Sequence, residues 1–301
     1  MYRHRLMAGF RNRWRKPKLR KKYGFPTIFI QAISAFILNS YFYVFKRPSL
    51  YQGKGKGLIC PSLNCYSCPL AYTSCPIGIM QHFAIIRQFP YYLLGWLGLV
   101  GVTTGRAQCG WICPFGLIQD LLYSIGRIRL KLPKWTIYIK YVVLFGMIPL
   151  SFITLGPVFC EYICPAGTLE AGISQVLWIS DYRQLVGHLF VLKVSILVII
   201  VLLSILIKRP FCRTLCPLGA FYSIFNKISV MRMKVNMDRC IECDLCQEVC
   251  PMDIKIYENP DSLECIRCNK CIRICPTNAI SVEIFGKEKR LESKLVLKKR
   301  R

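Results

Sequence analysis

The sequence predicts an all-α membrane bundle of about four transmembrane helices, followed by a small α+β domain that binds metal. Three observations lead there. The 301-residue chain is 53% hydrophobic yet carries a formal net charge of +27, a pairing suited to a membrane protein with charged ends. Its apolar residues gather in four runs, 25–45, 89–105, 135–157 and 185–207, and a spanning helix needs roughly 17–25 mostly apolar residues. Beyond residue 230 the apolar patterning fades, and eight of the 18 cysteines crowd into 240–275.

Residues 1–22 form a basic arm, from Arg3 to Lys22, without an acidic residue. The apolar run after it is about 20 residues long and leads into "YVFKRPS", not into a small-residue cleavage site, so it reads as a retained anchor. Beside a spanning helix, the expected partner of the arm is anionic lipid at the inner face, not nucleic acid. Cytoplasmic loops collect Lys and Arg. The segment after the second run has Arg106, Arg127, Arg129, Lys131 and Lys134 against Asp120 alone. The stretch after the fourth has Lys208, Arg209, Arg213, Lys227, Arg232 and Lys234, whereas Glu161, Glu170 and Asp181 outnumber Arg183 between the third and fourth. The bias implies four spans in the cytoplasmic (inner) membrane with both termini in the cytoplasm. Lys46, Arg47, Lys54 and Lys56 in the first outer loop run against it. Residues 23–230 are thus the membrane domain, with cysteine-rich loops at 60–78, 109–116, 160–167 and 212–219.

The cysteines are packed in tight groups, eight of them directly before proline, which favours metal ligation in a reducing, anaerobic setting over disulfides. "CIECDLCQEVCP" (240–251) and "CIRCNKCIRICP" (265–276) are both complete C-x₂-C-x₂-C-x₃-C-P runs. In such a tandem, three close cysteines wrap one [4Fe–4S] cube while the fourth ligates the other. Cys240, Cys243, Cys246 and Cys275 are therefore expected to hold one cube, and Cys265, Cys268, Cys271 and Cys250 its partner. Zinc favours paired knuckles separated by longer loops. Residues 231–285 closely resemble two-cluster bacterial ferredoxins. The basic tail, 286–301, reads as a surface helix or an unstructured end.

Within the membrane domain, "CPIGIMQ" (75–81), "CPFGLIQ" (113–119), "CPAGTLE" (164–170) and "CPLGAFY" (216–222) share C-P-x-G. Three copies have a cysteine four residues earlier, at Cys109, Cys160 and Cys212; the first has Ala71 there, with Cys60, Cys65 and Cys68 nearby. Proline suits the first helical turn, so each copy is expected to end in a short helix capping a cluster. Each C-x₃-C-P is half a ferredoxin run and supplies two thiolates where a cube needs four. The four-span topology brings Cys109/Cys113 and Cys212/Cys216 to the cytoplasmic face as one site. Cys160 and Cys164 fall on the outer face with Cys60, Cys65, Cys68 and Cys75, about a membrane thickness away, some 30 Å. Those six can ligate at least one more cube. Cys60-x₄-Cys65-x₂-Cys68 also resembles the plant-type [2Fe–2S] run. Four cubes would use sixteen of the eighteen thiols and, at about −2 each, offset roughly eight positive charges.

Four spans, paired C-x₃-C-P motifs and a C-terminal two-cluster ferredoxin together resemble the NapH/NosR-type membrane iron–sulfur proteins over roughly 85–280. That resemblance implies electron transfer between a cytoplasmic or quinone-pool donor and a redox subunit or reductase in or beyond the membrane. The Cys60–Cys75 loop and Cys160/Cys164 are additions to the pattern. The alternatives are a quinol dehydrogenase subunit, with quinone as a further cofactor, and a redox assembly or regulatory factor for a metalloenzyme. No nucleotide-binding glycine pattern, catalytic carboxylate pair or nucleophile motif stands out, so an electron-transfer subunit is favoured over a stand-alone enzyme. Arg87 and Lys140 sit near span ends, where snorkelling accounts for them as well as a cluster does. Lys193 lies deeper and is expected beside a cluster or quinone headgroup. His82 and His188 read as interfacial residues, with a bis-histidine haem as the alternative. Reporter fusions made after Arg183 and after Arg209 should report opposite sides of the membrane; the same side for both would remove the four-span topology.

Overall fold

The structure is a computed structural model and describes residues 25–45, 50–126 and 128–289. The basic arm, Lys46, Arg47, Arg127 and the tail from 290 lie outside the described residues. Two helices are long and apolar enough to cross a membrane, 134–154 and 188–206. Only 22% and 17% of their apolar windows are buried inside the protein. A soluble core helix would be mostly covered, whereas helices apolar on all sides suit lipid. The first two apolar runs form shorter helices, α1 (Phe25–Leu38) and α3 (Tyr91–Thr104). Fourteen residues rise roughly 21 Å, less than the ~30 Å hydrocarbon layer.

The C-P-x-G copies become helices, because proline at the first position loses no intrahelical bond. These are α2 (Pro76–Ile85), α5 (Pro114–Ile125) and α9 (Pro217–Phe225), preceded in the last two cases by the single turns α4 (Ala107–Trp111) and α8 (Pro210–Thr214). The third copy, Pro165–Gly167, is flanked by wide π-type turns over Phe159–Ile163 and Thr168–Ile173. Helix α6 (Ile139–Thr154) packs against α2 and α9, while α7 (His188–Leu206) packs against α5, which also meets α1. Leu93, Leu97, Leu144, Met147, Ile200 and Phe211 fill the core between them, together with Cys75, Cys113, Cys164 and Cys216.

The cysteine-rich loop before α2 does not stay on the outer surface. Leu63 and Asn64 are buried, at 2% and 0% exposure. Asn39, just past α1, donates to the Asn64 side chain at 3.1 Å, and the Trp96 indole donates to the Ile59 carbonyl at 3.1 Å. The loop therefore folds back into the bundle.

The C-terminal domain is a three-stranded antiparallel sheet, β1 (Met231–Val235), β2 (Ile280–Ile284) and β3 (Lys287–Lys289), with two short helices, α10 (Leu245–Val249) and α11 (Lys270–Ile274), packed on each other. Strand β3 lies in the stretch read from sequence as tail. The turn that permits it is Phe285-Gly286, both with positive φ, as a two-residue hairpin requires.

This domain docks on the bundle through buried ion pairs. Glu264 meets Arg106 at 2.8 Å and also pairs with Lys140. Asp120 meets Arg209 at 2.7 Å and Lys270 at 3.0 Å. Burial alone would raise the Asp120 carboxyl, but Arg209 and Lys270 outweigh it and hold it at about 2. Lys140 is fully buried at the junction, which decides between its two sequence readings, while Arg87 stacks over Phe152. Replacing Glu264 with Gln strands two buried cations, and losing one partner of such a group costs about 3–5 kcal/mol. Glu264→Gln should lower the melting temperature in detergent and speed proteolytic release of the C-terminal domain; unchanged values would show that the junction does not depend on this carboxylate.

Candidate functional site

The two complete cysteine runs fold alike. Residues two and four past the first cysteine take left-handed backbone in both, Glu242 and Asp244 in one, Arg267 and Asn269 in the other, and Asp253 and Asn278 repeat this after each Cys-Pro. Successive turns of this kind aim backbone N–H groups into a concavity. One cavity is lined by Cys240, Cys243, Cys246 and Cys275, the other by Cys250, Cys265, Cys268 and Cys271, with Cys246 bordering both. These are the two sets expected from spacing. Cys246 and Cys271 are electrostatic neighbours across the gap between them.

The third set joins two stretches of identical layout, Arg106–Gln119 and Arg209–Tyr222. The thiols of Cys109, Cys113, Cys212 and Cys216 are mutual charge neighbours, as the half-motif reading requires. The two stretches grip each other reciprocally. Arg106 donates to the Cys212 carbonyl at 2.9 Å, and Arg209 donates to the Cys109 carbonyl at 2.7 Å. Each guanidinium lies over the glycine of the opposite C-P-x-G, where an added Cβ would come within 2.9 Å at Gly219 and 3.1 Å at Gly116. The Gln119 amide donates to the Cys212 sulfur at 3.0 Å. Tyr222, at the matching position, is buried near Cys109 and Cys60, and among the described residues its hydroxyl has no hydrogen-bond partner.

The fourth set selects among the outer cysteines. Cys65, Cys75, Cys160 and Cys164 line a cavity of about 290 Å³ together with Lys193 and Glu161. Cys65 thus fills the role that Ala71 leaves empty. Cys60 is buried against the Ser62 hydroxyl at 3.1 Å, and Cys68 is buried near Lys56 and Glu170; neither lines the cavity. That division disfavours the [2Fe–2S] reading of Cys60, Cys65 and Cys68. The Gln81 amide donates to the Cys160 sulfur at 3.1 Å, and Glu170 accepts from the Cys65 N–H at 2.6 Å. Burial pushes the Glu170 carboxyl up to about 7, against that hydrogen bond.

The four sets follow one another closely. Gly110 lies against the Ile266 carbonyl, where a Cβ would be 2.5 Å away and 3.2 Å from the Cys268 Cβ. Cys75 and Cys164 share one buried core, which includes Leu63, with Cys113 and Cys216, so the ~30 Å gap expected between inner and outer sets is not found. The re-entrant loop closes it.

A [4Fe–4S] cube fits this donor set. Every C-P-x-G cysteine stands at the N-cap of its helix, and at two of them the sulfur accepts the N–H of the glycine three residues on, at 3.4 Å for Cys164 and 3.3 Å for Cys216. Helix N-termini and N–H···S bonds stabilise an anionic metal thiolate. Among the described residues, no three Cys, His, Asp or Glu side chains converge on a point that would hold a single metal ion; at three of the four sets the thiols line cavities instead. The residues that spacing did not single out are Arg106 and Arg209, which read as topological charges, and Gln81, Gln119, Glu170 and Tyr222. These last four share one position, six beyond the cysteine of each C-P-x-G copy.

Two families, each described as a 4Fe-4S binding domain, match the chain. One covers 88–133, 141–181 and 189–236, the other 233–255 and 259–281. An uncharacterized protein of Methanocaldococcus jannaschii is 34% identical over 208 residues, 64% of this chain and 79% of that protein. The methylamine utilization ferredoxin-type protein MauN of Methylorubrum extorquens is 31% identical over 157 residues, covering 50% and 48%. The regulatory protein NosR of Pseudomonas aeruginosa is 29% identical over 155 residues, covering 47% and 19%. No solved structure matches. Because neither Cys60 nor Cys68 lines any of the three cysteine-lined cavities, Cys60→Ser and Cys68→Ser should leave the iron content of purified protein unchanged; loss of iron in either would return that residue to the ligand set.

Proposed function

This chain belongs to the NapH/NosR-type family of membrane iron–sulfur proteins, and from that premise we propose that its four thiol sets hold four [4Fe–4S] cubes in line. It is an iron–sulfur electron-transport protein; each cube, when bound, exchanges one electron with little movement of its ligands. The approach of Gly110, next to Cys109, to Ile266 and Cys268 carries the reading, with Cys109 packed on the cluster of Met252, Ile266 and Cys268. It sets the membrane domain's first site directly against the ferredoxin domain's second.

In this reading Cys240, Cys243, Cys246 and Cys275 form the cytoplasmic terminus, where half-exposed Cys240 and Cys243 face a soluble donor. Cys250, Cys265, Cys268 and Cys271 come next, then Cys109, Cys113, Cys212 and Cys216, and last Cys65, Cys75, Cys160 and Cys164 toward the outer face. Arg106 and Arg209 offset negative charge at the third site, since a buried anion without compensation is costly. Lys193, lining the outer cavity, serves the fourth in the same way. Helices α6 and α7 cross the membrane, and the shorter α1 and α3 do so together with the apolar chain that flanks them, with the re-entrant loop and the C-P-x-G helices filling the bundle. The partner beyond the fourth site is a redox protein or a quinone. A regulatory or assembly role is the second reading, favoured by the likeness to a regulatory protein.

Four cubes require about sixteen irons per chain. Replacing either Cys113 or Cys216 with serine should remove one and the same EPR signal while the two ferredoxin signals persist. Loss of different signals in the two variants would mean that the half-motifs do not share a site.

A further inference from the structure

At each membrane site a buried glutamine amide donates to a cysteine sulfur. The Gln119 Nε2 lies 3.0 Å from the Cys212 Sγ, and the Gln81 Nε2 lies 3.1 Å from the Cys160 Sγ. Both bonds cross from one half of the site to the other. Each amide also donates to the carbonyl four residues back, Phe115 at 3.4 Å and Ile77 at 3.3 Å. The two side chains are 1% and 0% exposed. Their orientation is forced. The Gln81 oxygen accepts from the Phe159 N–H at 2.8 Å and from the Ser151 hydroxyl at 3.4 Å, so its nitrogen has to face the sulfur. The Gln119 oxygen has no hydrogen-bond partner among the described residues, yet turning the amide over would set that oxygen against the Phe115 carbonyl, acceptor on acceptor. Gln119 thus leaves a buried acceptor unpaired, which costs stability, while its donor points at sulfur. An unsatisfied group of this kind calls for a reason beyond packing.

We propose that Gln119 and Gln81 set the reduction potentials of the two membrane sites, each raising the potential of its own cluster through the amide N–H···S bond to Cys212 or Cys160. The proposal rests on the four-site reading above. A cube that has taken up an electron is more negative than before, so a donor at a ligand sulfur favours the reduced state, and hydrogen bonds to the sulfurs are among the determinants of the potential. Away from water such a bond is electrostatically stronger. Neither glutamine ligates iron or moves a proton; both are positioning residues that act through the thiolate they touch. Gln81 has a second duty, since its oxygen ties Ser151 of α6 and the Phe159 backbone to α2. The Gln119 oxygen ties nothing among the described residues, so Gln119 carries the test.

The test is a redox titration of the full chain in detergent, followed by EPR. Gln119→Met nearly conserves volume and deletes the donor. The signal that Cys113→Ser abolishes should shift to a lower midpoint potential in Gln119→Met, while the other three signals keep theirs. In wild-type protein labelled with heavy nitrogen in its glutamine side chains, pulsed EPR should show a nitrogen coupling on that same signal, and Gln119→Met should lose it. A merely structural glutamine would move neither readout. If all four signals are present and the inner potential is the same in Gln119→Met as in the wild type, the tuning proposal falls while the four-site reading stands. Should Gln119→Met fail to load iron, the labelled wild type decides alone: a glutamine nitrogen coupled to the inner signal supports the proposal, and its absence overturns it. Fewer than four signals in the wild type would instead overturn the underlying reading.

Discussion

Sulfur ligands placed inside an apolar bundle need donors around them, and the rest of the architecture follows from that need. A thiolate away from water requires positive potential nearby, for the reason that any buried charge does. The chain supplies it with backbone. Each C-P-x-G helix starts at a cysteine, and at Cys164 and Cys216 a free N–H of the first turn bonds the sulfur. Proline gives up only a donor that the helix does not use. Glycine leaves room for the guanidinium of the opposite half-motif at the inner site. The short helices and the reciprocal arginines both serve one electrostatic requirement.

The two membrane sites are variations on one plan. In each, the residue six beyond the capping cysteine reaches across to the other half: Gln119 to Cys212, Gln81 to Cys160, Glu170 to the amide of Cys65. The inner site has two arginines and neutral Gln119 and Tyr222 about it. The outer has Glu170, its carboxyl raised by burial, beside Cys65, and Lys193 and Glu161 in the cavity lining. The surroundings thus differ in charge although the cysteine pattern is nearly repeated.

The cysteine groupings that depend on local spacing can be read in the sequence, and the structure brings the same thiols together. The tandem runs fix their own turns, and the crossed assignment of Cys250 and Cys275 reappears in the cavities. The pairing of Cys109/Cys113 with Cys212/Cys216 was legible through topology. The outer set was not, because Cys60, Cys65 and Cys68 are similar in local pattern and only the fold of 58–75 separates them. The nearness of the outer set to the inner one was hidden for the same reason: it depends on Asn39 meeting Asn64 and Trp96 meeting Ile59, contacts between residues 25 and 37 positions apart. Helix lengths were overestimated for α1 and α3, since hydrophobicity continues into turns such as Phe42–Phe45. Arg106 and Arg209 were visible only as loop charges, and their partners Glu264 and Asp120 lie more than 80 positions away.

Gly110 bears on how such a protein can change over time. With the Ile266 carbonyl 2.5 Å from where its Cβ would stand, no larger residue fits there unless the ferredoxin domain moves away from the bundle. Trp111 and Arg267 tighten the same seam, the indole donating to the Arg267 carbonyl at 2.9 Å and the guanidinium donating to the Thr104 carbonyl at 3.0 Å. A ferredoxin domain grafted from elsewhere would need matching backbone at 264–268 as well as its cysteines. The two parts resemble interchangeable modules on paper, but their seam makes them inherit changes together.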